Sequence, residues 1–285
     1  MTKHIKQIGQ DGLGHQLHGL ITTLIFHYVK DYYFDGHAYI RNNFSFEHLD
    51  EEDSKNAELF LTESIKKFIE FYSQNEITYK NYIFAHEIYN IPENNDNNTL
   101  YGVDNAFDLN MCKNLNEEDI QKIIENLDVM KSFFINNKYL PQKRLVDKNI
   151  VIHIRLGDAV YSGRGDKIKN HIYKIIELID IFSIQYPEYT YYLHTDGEVD
   201  LIISKLNSMN IKYVLFKKNT KILDVLSDLI FSDIFVCGVS SLSIFCSLLN
   251  NKKLTIIDDE SSYFMLQKNY HKISSYIQDF TPLHI

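Results

Sequence analysis

From Asn149 to Ile257 the chain alternates short apolar runs with amphipathic stretches, and that alternation constrains the fold more than any other feature. The runs read as strands at 149–155, 189–194, 211–216, 234–237 and 254–257. The intervening stretches, 168–185, 199–208, 222–231 and 241–249, repeat apolar residues at helical spacing. In the first of them Ile172, Ile175, Ile176 and Ile179 share a face. Strands separated by helices pair in parallel, and a parallel sheet must be covered on both faces. The pattern therefore predicts an α/β chain whose second half is one doubly wound domain. Ligands of such sheets bind at the carboxyl ends of the strands.

That rule selects residues. The run Val151 to Asp158 carries His153 and Arg155, breaks at Gly157 and ends in the carboxylate of Asp158. Residues two apart on a strand share a face, so His153 and Arg155 point the same way. An arginine at the end of a buried strand needs an anion, and its planar fork suits a phosphate. The second strand leads into Thr195, Asp196 and Gly197. The fourth leads into Gly238, Ser240, Ser241 and Ser243, at the start of a helix whose free N–H groups attract anions. The three groups are expected to converge on one crevice. It would offer an arginine and a serine-rich helix start to phosphate, and a carboxylate to a base that presents N–H donors, as guanine does. Taken singly, Asp196-Gly197 also reads as a plain turn and Ser241 as a helix cap.

The first half opens with a strand near His4 to Ile8. It runs into Gly12, Gly14, His15 and Gln16, then an apolar-periodic stretch to Tyr33. Strand, glycine turn, helix is the natural parse. A dinucleotide fingerprint requires glycine at position 17, which is Leu17, so a nicotinamide or flavin reading loses its support. The turn either faces a ligand or simply joins strand to helix. Residues 42–57 read as a polar loop and helix start. Leu59, Ile65, Phe68, Ile69 and Tyr72 mark a core-facing helix. A strand is expected within 81–91 and an exposed loop over 92–99. A further helix is capped by Asn116 and buries Ile120, Ile123, Ile124, Leu127, Met130 and Phe134. Residues 141–148 form a linker.

Composition sets outer bounds. A chain of 285 residues, 45% hydrophobic, makes one large domain or two ordinary ones. A net charge of −9 argues against a nucleic-acid partner. Cys112, Cys237 and Cys246 lack metal-ligand spacing and read as buried free thiols, which fits a reducing compartment. The N-terminus has no signal-peptide core. The most apolar stretch, Leu223 to Leu249, is interrupted by Asp224, Asp228 and Asp233, so no membrane span is expected. The expectation is a cytoplasmic protein. No Asp-x-Asp pair suggests a metal site, so no metal or other cofactor is expected.

Four motifs in order resemble those of the GDP-fucose-dependent fucosyltransferases of the GT-B superfamily, with the α-1,2-fucosyltransferase family most similar. Gly12-Leu-Gly-His-Gln16 is similar to their Gly-Leu-Gly-Asn-Gln. His153-Ile-Arg-Leu-Gly-Asp158 is similar to His-x-Arg-Arg-Gly-Asp. Thr195-Asp196 and Ser240-Ser-Leu-Ser243 match their later motifs. The resemblance departs at Leu156, where the family has a second arginine, at His15 and at Leu242.

The resemblance implies two Rossmann-like domains facing a cleft. Residues 1–147 would form an acceptor-side domain and 148–262 the nucleotide-sugar domain. Residues 263–285 would return to the first domain, with a helix over 264–277. It implies an inverting, metal-independent transfer of fucose from GDP-fucose to a glycan hydroxyl. Arg155 would bind the β-phosphate, His153 line the nucleotide pocket and Asp196 accept from guanine. Ser240, Ser241 and Ser243 would contact phosphate or brace the helix start. Gly12, Gly14, His15 and Gln16 would form the facing wall. Asp158, or second to it Asp11, would be the general base. A GT-B transferase for another nucleotide sugar, or a non-catalytic nucleotide- or glycan-binding protein, is the alternative.

Overall fold

A computed structural model of the chain describes residues 4–9, 12–17, 19–20, 33–39, 49–72, 81–84, 99–103, 116–157, 165–217, 219–238, 240–257 and 270–272. The fold class is α/β, as expected, and every strand pairing among these residues is parallel. The chain divides into two units, Met1–Leu140 and Pro141–Ile285.

In the first unit, β1 (His4–Gly9), β2 (Tyr33–Tyr39), β3 (Asn81–Phe84) and β4 (Thr99–Val103) form a sheet in the order β2-β1-β4-β3. The strands β2 and β4 are additions to the sequence reading: β2 begins where the apolar-periodic stretch was read to end, and β4 directly follows the asparagine-rich loop. Two helices complete the unit, α1 (Glu51–Tyr72) and α2 (Glu117–Ile135). The cap read at Asn116 is present: its side chain accepts from the Asp119 N–H, and the Asp119 carboxylate accepts from the Asn116 N–H. The acidic first turn, Glu117 to Asp119, complements the helix dipole. The two helices meet through Phe60 and Phe134, ring centroids 6.2 Å apart. Below this contact buried Asn137 donates to the Phe60 carbonyl and to Ser64 Oγ, both at 2.8 Å.

The second unit carries the alternation: β5 (Asn149–Ile154), α3 (Gly165–Gln185), β6 (Thr190–Thr195), α4 (Asp200–Ser208), β7 (Tyr213–Phe216), α5 (Ile222–Phe231), β8 (Ile234–Cys237), α6 (Ser241–Leu249) and β9 (Lys253–Ile256). A sixth strand, β10 (Tyr270–Lys272), pairs in parallel with β9. This corrects the helix expected over 264–277. Its three central residues complete the sheet edge instead, a run too short to display a period of its own. The strand order is β10-β9-β8-β5-β6-β7. Chain progress therefore runs outward from the centre in both directions, as in the doubly wound dinucleotide folds.

Alternate residues of β5 serve the two faces. Ile150, Ile152 and Ile154 join one core cluster with Ile179 and Phe182 of α3 and Ile202 and Leu206 of α4. The opposite face carries His153, which reaches Ser243 of α6. Two asparagines fix the framework where apolar packing cannot. Asn149, fully buried at the start of β5, donates to Asp233 and accepts from the Asp233 N–H, locking β5 to the turn before β8. Asn250, also fully buried, donates to the carbonyls of Leu229, Ile230 and Ser232, which satisfies the end of α5. Such terminal carbonyls have no partner within the helix itself. Cys237 and Cys246 are buried free thiols, and burial pushes the pKa of each upward.

Candidate functional site

The winding direction of the second sheet reverses between β5 and β8. An open parallel sheet presents its ligand crevice at the carboxyl ends of such a strand pair. The crevice found there is lined by His153, Arg155, His171, Gly238, Ser240 and Ser243. The structure thus brings together the strand-end arginine and the serine-rich helix start that the sequence singled out. Ser241, the first residue of α6, lies beside them and is half-buried.

The loops after β5 and β6 interlock. Asp196 Oδ2 accepts from Arg155 Nη1. Its Oδ1 accepts from the N–H groups of Leu156 at 2.6 Å and Gly157 at 2.9 Å. The carboxylate of Asp196 braces the arginine loop, where two amides and a guanidinium donate to its oxygens. The fit demands glycine twice. A Cβ on Gly157 would stand 2.6 Å from Asp196 Oδ2, and one on Gly197 would stand 2.6 Å from the Cβ of Leu156. Leu156 itself is 5% exposed and belongs to the apolar core. The side chain at 156 packs over Gly197 and also lines the crevice beside Arg155.

On the other side of the crevice, Ser240 caps α6. Its hydroxyl accepts from the Ser243 N–H at 3.0 Å. Both hydroxyls also address His153: Nδ1 lies 2.5 Å from Ser243 Oγ and 3.5 Å from Ser240 Oγ. Burial lowers the His153 pKa to about 3, with His194 and Arg155 acting in the same direction and Asp196 against them. The imidazole is therefore neutral at ordinary pH. It serves as a hydrogen-bonding spacer between the strand and the helix start, and Arg155 carries the positive charge. Ser240 and Ser243 brace the helix start.

Sequence reasoning missed one residue of the crevice lining and a separate array of buried and half-buried charged groups on β6, α5 and the linker. His171 lies on α3, one turn before the buried Ile175. Extending the stripe of Ile175 and Ile179 back by four residues would have found it. His194 lies across from His153 in the β5–β6 register, with its Nε2 3.2 Å from Asp228 Oδ2. Both residues are almost fully buried, and the His194 ring stacks on Phe216 at 4.6 Å. Arg144 approaches the same Asp228 at 4.0 Å and pairs with Asp224 at 2.6 Å. Asp224 and Asp228, read as interruptions of an apolar stretch, are the acids of this array.

Asp158 and Asp11 lie outside the described residues. Gly12, Gly14, His15 and Gln16 belong to the first unit, where 13–17 form a short helical segment after β1 and Gln16 is buried. Among the described residues no group of His, Cys, Asp and Glu is arranged to hold a metal ion, and no helix is long and apolar enough to cross a membrane.

No family model matches the chain, and no curated protein matches its sequence. Solved structures do. POFUT1 in complex with GDP is similar over 90% of this chain and 98% of its own, at 12% identity and a TM-score of 0.48. POFUT1 in complex with GDP-fucose is similar over 88% of this chain and 94% of its own, at 12% identity and a TM-score of 0.44. A glycosyl transferase of family 9 from Veillonella parvula is similar over 99% of this chain and 90% of its own, at 8% identity and a TM-score of 0.45.

Proposed function

We propose that the protein is a glycosyltransferase that takes its sugar from a nucleoside diphosphate donor. The specific reading is an inverting, metal-independent fucosyltransferase that moves fucose from GDP-fucose to a glycan hydroxyl, with α-1,2-like linkage, in the cytoplasm. The observation that carries it is the pairing of Arg155 with the capped start of α6 at the switch point of a parallel sheet. A guanidinium beside a helix N-terminus is an anion site, and a diphosphate is the anion that such sheets bind at that place.

The chemistry follows from charge. As the bond between the anomeric carbon and the diphosphate breaks, negative charge grows on the leaving group. A donor fixed before the reaction stabilises that charge without reorganising. Asp196, which accepts from the two loop amides and from Arg155, holds the guanidinium in place in advance. The acceptor hydroxyl attacks from the opposite face, and Asp158 is the proposed base for its proton, with Asp11 second. Asp196 is proposed to accept also from the N–H donors of guanine, with the lone pairs that the loop leaves open, and this contact is the basis of the preference for GDP.

Thermal unfolding with added nucleotide tests the reading, because a ligand of the native state stabilises it. GDP at a hundred times its Kd should stabilise the chain by about 2.7 kcal/mol, more than UDP or ADP at equal concentration. Arg155→Ala should abolish both this shift and transfer while melting near the wild-type temperature, since the Arg155–Asp196 pair is partly exposed and such pairs contribute about 0–1 kcal/mol. Normal turnover in that variant would overturn the assignment. A non-catalytic nucleotide-binding protein is the second reading, favoured by the carboxylate that already neutralises Arg155. Hydrolysis of GDP-fucose without acceptor separates the two.

A further inference from the structure

A nucleotide sugar carries two negative charges on its diphosphate, whereas Arg155 brings one positive charge with Asp196 against it. His171 lines the same crevice from the α3 side. Its placement follows from the helix. Ile175, Leu178, Ile179 and Phe182 are all under 2% exposed and form the inward stripe of α3. Position 171 is one turn earlier on that stripe, where the helix runs past the carboxyl edge of the sheet. An imidazole stands there in place of another aliphatic side chain. The helix is held at that edge by Lys174, whose Nζ donates to the Ile257 carbonyl at 3.2 Å, just beyond β9. His171 is half-buried and borders the crevice.

We propose that His171 is a second ligand of the donor diphosphate, and that its imidazolium form makes donor binding pH-dependent. The inference rests on the crevice being the nucleotide-sugar site. The charged and titratable groups that line the crevice with it are Arg155 and His153. Arg155 from the end of β5 brings its guanidinium, and Asp196 lies behind it. His153 stays neutral down to about pH 3. Lys174, on the same helix, points to Ile257. The start of α6 contributes the uncharged Ser240 and Ser243. An imidazole ordinarily changes charge between pH 5 and 8. An adjacent anion favours its protonated form, so the linkage sign is fixed: the donor binds more tightly as pH falls from 8 to 6.

Isothermal titration with GDP-fucose at pH 6 and pH 8 tests this. The sugar ester is the right probe, because its phosphates carry no second ionisation in that range, whereas the terminal phosphate of free GDP does. Wild type should bind about tenfold more tightly at pH 6, the size of one charge-assisted hydrogen bond. His171→Gln should bind at both pH values as wild type does at pH 8. His171→Arg should bind at both as wild type does at pH 6. Circular dichroism melts of the two variants establish that they are folded. A His171→Gln protein that keeps the wild-type pH dependence overturns the proposal. If wild type binds GDP-fucose and Arg155→Ala does not, while His171→Gln matches wild type throughout, this inference alone fails. If wild type binds no nucleotide sugar at either pH, the functional reading falls and takes this inference with it.

Discussion

His153 is neutral in the native protein and ordinary in the unfolded one, and that difference is measurable as a slope. Its pKa is lowered from 6.5 to about 3, chiefly by burial. The unfolded chain therefore binds a proton below pH 6.5 that the folded chain does not. By linkage, the stability this group contributes is fully present above pH 6.5 and is lost as pH falls toward 3. Between pH 7 and pH 5 the loss from this one residue is about 2 kcal/mol, approaching a slope of about 1.4 kcal/mol per pH unit at the lower end.

The perturbation that isolates it is His153→Asn. The variant loses the contacts with Ser243 and Ser240, which shifts stability by a roughly constant amount, and it loses the titration, which changes the slope. Urea unfolding at pH 7, 6 and 5 is the assay. It is followed by far-ultraviolet circular dichroism because the chain has no tryptophan. Other titrating groups are common to both proteins and cancel in the difference. The gap between wild type and variant should shrink by about 2 kcal/mol from pH 7 to pH 5. A gap that stays constant would show that His153 protonates freely in the native state, and the account of the buried spacer would be wrong.

Two further outcomes follow from the packing. Leu156→Arg should lower the melting temperature, because the side chain at 156 is 5% exposed and packs over Gly197; an unchanged melting temperature would refute that placement. Asn250→Ala should destabilise the protein by about 2–4 kcal/mol, since three helix-end carbonyls lose their donor in a fully buried place. Unchanged chemical denaturation would show that water reaches those carbonyls.

The second unit was legible because its signals are local. Strand β8 and helices α5 and α6 fall on the expected residues, since each apolar run there is bounded by polar residues or glycine: Asp233 and Gly238, Lys221 and Ser232, Ser240 and Asn250. Strand β7 starts at Tyr213 rather than residue 211, and β10 was read as helix, because sheet edges depend on a neighbour for pairing rather than on their own pattern. In the first unit β2 escaped because Asp35, Gly36 and His37 break the apolar run at its centre. The site was legible as a set of residue types, and its wiring was not. Composition marks Asp196 as a carboxylate near an arginine. Only the fold reveals that two amides claim it as well. The His194–Asp228 pair needed the β5–β6 register and the approach of α5 to come together.

The interlock of the two strand-end loops limits how such a pocket can be re-engineered. Arg155, Leu156 and Gly157 on one loop, and Asp196 and Gly197 on the other, each occupy space or donors that the opposite loop supplies. Grafting either loop alone from another protein would bring a Cβ into a carboxylate or leave a carboxylate without its amides. The pair must travel as a single cassette. Selection for altered donor preference should therefore leave these five positions fixed and sample His171, which borders the crevice outside the interlock.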